Sequence, residues 1–561
     1  MKAIYKTLLA AAVATPLFTG CIEDIEPTDI ITETQLQSSV KATEALVWAI
    51  PGHFNQIGTV SLDQHYDFGY PSILHIRDVM TEDMYVRDAG GYNWFSSWSS
   101  VRYTLGQDYL VCQYTWNYMY EQILTANNTI GAIDREKAGE EASLAFYLGT
   151  ALANRAMVYL DAARMYEVLP NEANPECLSP EGNNILGLTM PIVTEETTEE
   201  QYADNPRVPH ADMVAFIEKD LIDAVEYFGK GMARPDKTLP NLACAYGLLA
   251  RLCLWDASYI EEIDGDAAAS KARYAEAAKY ARLAISNSGA TPLTQDQWLS
   301  TTSGFNDLSV SSWMWGSQYV TEDDAVQAGG IRTFASFMSP EQVFGYCAPA
   351  QGAFPEIGAS VYNRINDRDF RKLSFVAPEG SALADRVVYL DKEFAEENFD
   401  GPYIAVKFRP GQGNMDDYLV GSCTAVPLMR VEEMYFIEAE ATAHSDAAAG
   451  KKLLTDFMTT YRYPTYSTNA ADADAVIEEI IFQKRVELWG EGRTFFDIKR
   501  LNYSVTRWYD GTNFEAGLDT YNTNGRPAWM NFVIVRQESD NNSAILGYNT
   551  PTPAGYYVAN Q

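Results

Sequence analysis

Apolar residues recur every three or four positions over long stretches of this chain, the period of amphipathic helices. From Ala142 to Tyr166 the stripe is Leu144, Leu148, Leu152, Ala156, Tyr159 and Ala163. A second stripe, Phe216, Ile217, Leu221, Ala224 and Phe228, runs through Met213 to Phe228. Leu242 to Tyr259 is apolar almost all round, which predicts a helix buried on most faces. Tyr274 to Ile285 follows, with Ala277, Ala278, Ala281 and Ala284 small enough for close helix approach. The predicted helices come in pairs separated by loops, and small residues recur where one partner must nest on the other. That pattern suggests a predominantly α fold of tetratricopeptide-like hairpins, degenerate and interrupted by insertions. Spacing alone leaves an irregular helical bundle equally open.

Three stretches break the helical pattern. Between Gly289 and Asp417 the chain is punctuated by Gly, Pro, Ser, Asn and aromatics, with short β-like pieces at Arg386 to Leu390 and Tyr403 to Phe408. Gln56 to Gln107 and the tail after Asn502 are also loop-rich. Structureless insertions of this length inside a compact protein are uncommon and usually functional.

The N-terminus carries a different signal. Lys2 and Lys6 precede an apolar run from Leu8 to Phe18, 11 residues long, against roughly 20 for a membrane-spanning helix. It reads as a cleaved export signal. Leu17-Phe18-Thr19-Gly20-Cys21 resembles the bacterial lipobox, with Phe18 where a leucine is usual, so residues 1–20 are expected to be removed and Cys21 lipidated. Residues 21–35 are acidic and contain a proline (Glu23, Asp24, Glu26, Pro27, Asp29), a solvated tether that resembles the surface-export signal of Bacteroidetes lipoproteins. The remaining residues, 36–561, are expected to form one body.

Charge and cysteine usage exclude some functions. With 41 basic and 76 acidic residues the formal charge is −35, a field that repels a phosphate backbone, so nucleic acid is not an expected partner. Cys112, Cys177, Cys244, Cys253, Cys347 and Cys423 form no Cys-x-x-Cys pair and no disulfide framework; Cys244 and Cys253 are expected to be buried thiols. Asp323-Asp324 and Asp416-Asp417 have calcium-ligand chemistry but read better as solvated acidic loops. No metal or cofactor is expected.

Two blocks near the C-terminus carry a resemblance. Pro427-Leu428-Met429-Arg430-Val431-Glu432-Glu433-Met434-Tyr435-Phe436-Ile437-Glu438-Ala439-Glu440-Ala441 opens one predicted helix. Lys484-Arg485-Val486-Glu487-Leu488-Trp489-Gly490-Glu491-Gly492-Arg493-Thr494-Phe495-Phe496-Asp497-Ile498-Lys499-Arg500 lies in another, from about Val476 to Arg500. Trp116 through Asn127-Asn128, Arg155-Ala156 through Tyr166 and Pro170, Arg207-Val208-Pro209 into Asp220-Leu221, and Ala243 to Trp255 follow in the same order; Asn366-Asp367-Arg368 lacks a proline found in the corresponding element. Together they resemble the SusD/RagB family of outer-membrane lipoproteins over essentially the whole mature chain. The resemblance implies about four tetratricopeptide-like helix pairs with long insertions on one side, residues 36–288 forming the N-terminal part and 289–561 the C-terminal part, with a ligand-side insertion at 289–417. It also implies partnership with a SusC-like TonB-dependent transporter and import of glycans or peptides.

The charged C-terminal helix raises a rival reading, a surface glycoside hydrolase, since Glu487, Glu491 and Asp497 are carboxylates of the right type. That chemistry needs two carboxyls across a cleft, and these share one predicted helix with apolar residues. They read as ion pairs: Arg493 with Asp497 four residues on, Arg485 with Glu438 or Glu440, Glu487 with a nearby base. The five histidines, His53, His65, His75, His210 and His444, accompany no nucleophile motif.

Aromatic residues in the insertions are the better candidates for ligand contact, because sugar rings pack their C–H faces on aromatic planes while polar neighbours take the hydroxyls. The chain has 35 Tyr and 11 Trp. Tyr92, Asn93, Trp94 and Trp98 concentrate them in the first insertion; Trp313, Trp315 and Tyr319 do so in the second, where the tryptophans, two apart, share one side of an extended segment. Arg77 and Asp78 are further candidates for hydroxyl recognition. The expected function is capture of oligosaccharide at the cell surface; peptide binding is the alternative within the same class.

Overall fold

The computed structural model describes residues 40–87, 90–517 and 519–560. The signal segment, Cys21 and the acidic tether lie outside them. The main helices are α1 (Val40–Phe54), α2 (Tyr70–Val79), α3 (Leu110–Gly131), α4 (Ala142–Tyr166), α5 (His210–Lys230), α6 (Leu242–Tyr259), α7 (Ala267–Ser288), α8 (Val431–Ala443), α9 (Ala447–Tyr461), α10 (Ala473–Glu487) and α11 (Thr494–Arg500). Each long helix packs on the next in sequence, α3 on α4, α4 on α5, α5 on α6, α6 on α7, α7 on α8 and α8 on α9, while α10 returns to α8. The fold is therefore predominantly α, and the predicted limits of α4 and α6 coincide with the observed ones. Among the described residues no helix is long and apolar enough to cross a membrane.

α4 is the axis of the body, buried on every face from Leu144 to Tyr166. A helix so enclosed must find partners for its polar side chains. Arg155 donates to Asp220 of α5 at 2.7 and 2.8 Å, and Asp161 accepts from Arg77 of α2 at 2.9 Å. α7 contributes only a narrow inner stripe, Ser270, Tyr274, Ala277, Ala281 and Ala284, so its alanines let it lie close against α6 and α8. Asn241 and Asp266 start α6 and α7 by accepting from the second and third backbone N–H groups of each helix.

Two small antiparallel pairs tie the insertions to the helices. β1 (Met84–Val86) pairs with β3 (Pro355–Ile357), and β2 (Trp313–Gln318) with β4 (Ala425–Arg430), the latter with register shifts around Trp315. β4 runs directly into α8, so Pro427 to Arg430, expected to open that helix, are extended. Arg386 to Leu390 forms no strand; a short 3-10 turn at Ala384–Arg386 precedes irregular chain. Within Tyr403 to Phe408, Ile404 and Ala405 make only isolated bridges, to Glu356 and Phe375.

The expected helix from Val476 to Arg500 is two helices. Gly490 and Gly492 between α10 and α11 take φ of 77° and 65°, where a side chain is strained. A Cβ on Gly492 would lie 2.8 Å from the Leu74 Cα. The break lets the chain press against α2.

Candidate ligand site

The structure corrects most of the residues expected to face a ligand. Arg77 is fully buried, with its Nη1 on Asp161 and its guanidinium 4.7 Å from the Phe496 ring. Asp78 is buried and accepts from the Gly492 N–H at 2.9 Å; burial pushes its carboxyl up to about 8, so it holds a proton at neutral pH. Trp98 is packed edge-on against Tyr66 at 5.1 Å and is 1% exposed. Asn93 is a different case: its side chain donates to Val86 O and accepts from the Phe95 N–H, yet the residue lines the depression beside Trp94.

In the second insertion Trp313 and Trp315 are 1% and 0% exposed. Their strand is covered on both faces along most of its length, and the register shift between them breaks the two-residue alternation expected to put them on one side. Trp315 lies edge-on to Phe54 at 6.1 Å and donates its indole N–H to Thr238 O. Tyr319 is equally buried, its hydroxyl donating to Phe68 O. These rings fasten the insertion to the helices.

Tyr92 and Trp94 remain at the surface. Tyr92 is 42% exposed and Trp94 half-buried. Trp94 stacks on His65 with ring centroids 4.6 Å apart and 21° between planes, and Tyr346 closes the cluster, 5.6 Å from His65, 6.0 Å from Trp94 and 5.9 Å from Tyr92. A second pair, Tyr103 and Tyr109, sits edge to face at 5.4 Å, with Tyr103 70% exposed. Beneath Tyr346 the Phe337 ring stacks at 5.2 Å and Phe68 beneath that at 5.0 Å, a column that holds the surface ring in place.

Beside Trp94 opens a depression of about 400 Å³, with Gln64, Asn93, Ser96, Ser97, Thr104 and Tyr109 on its walls and, among the described residues, no charged group in its lining. Among the described residues no group hydrogen-bonds the side-chain hydroxyls of Ser96 and Ser97. The Trp94 indole N–H is buried outside hydrogen-bond geometry from any acceptor. Burial raises the Tyr346 hydroxyl's pKa, and the nearby Trp94 N–H offsets part of that rise. Burial, and then the charge of Arg332, holds the His65 imidazole below its ordinary range, so its ring is neutral at pH 7. The pairing of His65 with Tyr346 was not legible from the sequence, because the two stand 281 residues apart.

Glu487, Glu491 and Asp497, the carboxylates of the hydrolase reading, are all engaged. Glu487 accepts from Arg462 at 2.7 Å, Arg371 at 3.0 Å and Arg430 at 3.2 Å. Glu491 accepts from Lys407 at 2.7 Å and Arg430 at 2.9 Å, and Asp497 from Lys484 and Arg500. The partners differ from those expected. Arg493 stands 3.8 Å from Asp161 instead of pairing with Asp497, and Arg485 reaches Asp83 and Glu82 of the first insertion instead of Glu438 or Glu440. Asp323 and Asp417 accept from the backbone N–H groups of Val320 and Leu419. The six body cysteines are free thiols, Cys244 and Cys253 among those buried.

The structure is a helical scaffold whose insertions carry an aromatic depression walled by neutral polar residues. Residues 286–555 match the model of the SusD family, and residues 60–254 match a model described as starch-binding and associating with the outer membrane. The chain belongs to the SusD/RagB family. No curated protein matches the sequence. The fold is shared with a SusD-like carbohydrate binding protein from Bacteroides vulgatus, at 19% identity and a TM-score of 0.67 over 90% of this chain and 97% of that one. It is shared also with SusD superfamily proteins from Bacteroides thetaiotaomicron (15% identity, 91% and 100% covered, TM-score 0.63) and Bacteroides fragilis (17%, 90% and 99%, 0.61).

Proposed function

We propose that this protein is a non-catalytic lipoprotein that captures uncharged glycan at the Trp94 depression and hands it to a SusC-like TonB-dependent transporter. Lipidation of Cys21 would hold it on the outer membrane, facing outward. The observation that carries the reading is the cluster of exposed Tyr92 and half-buried Trp94 with His65 and the buried Tyr346, beside a depression to which the described residues bring hydroxyls and no charge. Such a surface offers flat apolar rings for C–H faces and neutral hydrogen-bonding groups for hydroxyls, without the desolvation cost of an ion. Among the described residues no carboxylate lines the depression, and Glu487, Glu491 and Asp497 are each paired with basic groups, which supports binding over hydrolysis.

The test is native affinity electrophoresis against a panel of neutral polysaccharides, with product release assayed in parallel. Retention on at least one neutral glycan, weakened about twofold to tenfold by Trp94→Ala, is the expected result. Release of reducing sugar by the purified protein, or binding of peptides alone, overturns the reading.

A further inference from the structure

The Trp94 depression is one end of a longer feature. Its wall residue Tyr109 also lines a second depression of about 350 Å³, with Gln107, Gln113, Arg536 and Gln537. Gln537 and Asn541 in turn line a third, also about 350 Å³, with Trp116, Asn117, Tyr120 and Tyr202. The three are contiguous through shared side chains. Their floor is one face of α3: Leu110, Gln113, Asn117, Glu121 and Leu124 follow the three-to-four-residue spacing that aligns side chains along a helix. All five are at least partly exposed, while Val111, Cys112, Tyr114 and Thr115 between them are buried. From Leu110 to Leu124 the axial rise is about 20 Å, and the Trp94 depression adds to that length.

Aromatic rings are spaced along the track. Trp94 stands at one end and Tyr109, 37% exposed, next to it. At the far end Trp116 packs against Tyr120 at 4.8 Å, and Tyr202 is 43% exposed. The Tyr120 hydroxyl donates to Pro191 O at 2.8 Å, which fixes that ring in the wall. Between the rings are amides, and Gln113 donates to Gln537 across the track at 3.0 Å, an exposed bond that a ligand hydroxyl can replace at small net cost. The ionic groups are Asp108, Glu121, Glu538 and Asp540 against Arg536, whose guanidinium is committed to Asp108. The local field is negative and rejects an anionic chain.

We propose that the track along α3 binds an extended, uncharged polysaccharide, so that the protein prefers polymer to short oligomer and engages it from Trp94 to Tyr202. This rests on the carbohydrate reading of the Trp94 site and adds the ligand's length and charge. The test uses the full chain, with amylopectin, galactomannan, xyloglucan, arabinoxylan and polygalacturonate in affinity gels, then calorimetry with the trimer of whichever neutral polymer is retained. Tyr202→Ala is expected to lower the polymer-to-trimer affinity ratio by about twofold to tenfold, the range of one aromatic stacking contact. Asn117→Trp, which fills the floor, is expected to lower it further. Trp94→Ala is expected to weaken trimer and polymer together. Equal affinity for trimer and polymer, with both far-end variants silent, overturns the track and leaves the Trp94 site standing. Preference for polygalacturonate overturns the assignment of an uncharged chain. Failure to retain any of the five polymers overturns the track together with the carbohydrate reading.

Discussion

His210, the first residue of α5, offers a measurement in which the structure fixes both sign and size. Its side chain is 3% exposed, stacked on Tyr259 at 3.8 Å and edge-on to Trp255 at 4.4 Å. Nδ1 lies 2.6 Å from a Glu167 oxygen and Nε2 3.1 Å from an Asp256 oxygen. Both ring nitrogens face carboxylates, so both must donate and the ring must be an imidazolium. Burial pulls its pKa down, but the Glu167 charge and the hydrogen bonds to Asp256 and Glu167 outweigh it and lift the group from 6.5 to about 9. At 1.36 kcal/mol per unit, this is about 3 kcal/mol of stability.

A raised pKa means that the folded protein holds its proton more tightly than the unfolded chain does. The contribution is complete below about pH 6.5, declines as pH rises, and is gone above about 9. Other buried groups titrate nearby: Asp78, raised to about 8, and Lys407, which burial lowers to about 8. The clean quantity is therefore the difference between wild type and His210→Gln, with Glu167 still receiving the Trp255 N–H and Asp256 still receiving Arg273. Denaturant midpoints measured from pH 6 to 9.5 at fixed ionic strength should show the wild-type advantage shrinking by about 3 kcal/mol. A constant offset across that range would refute an imidazolium at this position.

Backbone and core substitutions give two further tests. Gly492→Ala must place a side chain at φ 65° and 2.8 Å from the Leu74 Cα; it should cost more than about 2 kcal/mol in denaturant unfolding, whereas Gly511→Ala, at φ 83° with open space around it, should cost about 1 kcal/mol. Trp315→Ala should destabilise by about 3–5 kcal/mol and leave glycan retention intact at temperatures where the variant is folded, the opposite of Trp94→Ala; loss of retention in a folded Trp315→Ala protein would return the second insertion to the ligand site.

The helices were legible because their periodicity is local. Leu242 to Tyr259 needed only its own apolar content to be read as a buried helix, and it is one. Where the reading failed, the deciding partner was far along the chain. Trp313 and Trp315 look like a surface pair until β4 and the helical body cover both faces of their strand. The spacing of Arg493 and Asp497 suits a helical pair, yet α11 begins at Thr494 after the Gly490–Gly492 break, and Arg493 turns toward Asp161 instead. Arg485 finds Asp83, 402 residues away. Tyr346 joins the site only because the Phe337 and Phe68 rings stack beneath it.

These failures share a physical cause that also explains where the family resemblance is strongest. Residues 427–441 and 484–500 carry it, and their charged groups meet in the interior: Glu487 among Arg371, Arg430 and Arg462, Glu491 between Lys407 and Arg430, and Glu433 with Arg251 at 2.8 Å. A buried ion cluster is a poor source of net stability, because desolvation offsets most of the attraction, but losing one member leaves an uncompensated charge at a cost of about 3–5 kcal/mol. Each member is therefore held by the others, and with them the placement of β4, α8, α10 and the turn pressed onto α2. The rings of Tyr92 and Trp94 at the surface, and the exposed face of α3, belong to no such ion cluster. Under the proposed function, substitution at these surface positions is expected to alter glycan binding while leaving the buried ion cluster, and with it the scaffold, undisturbed.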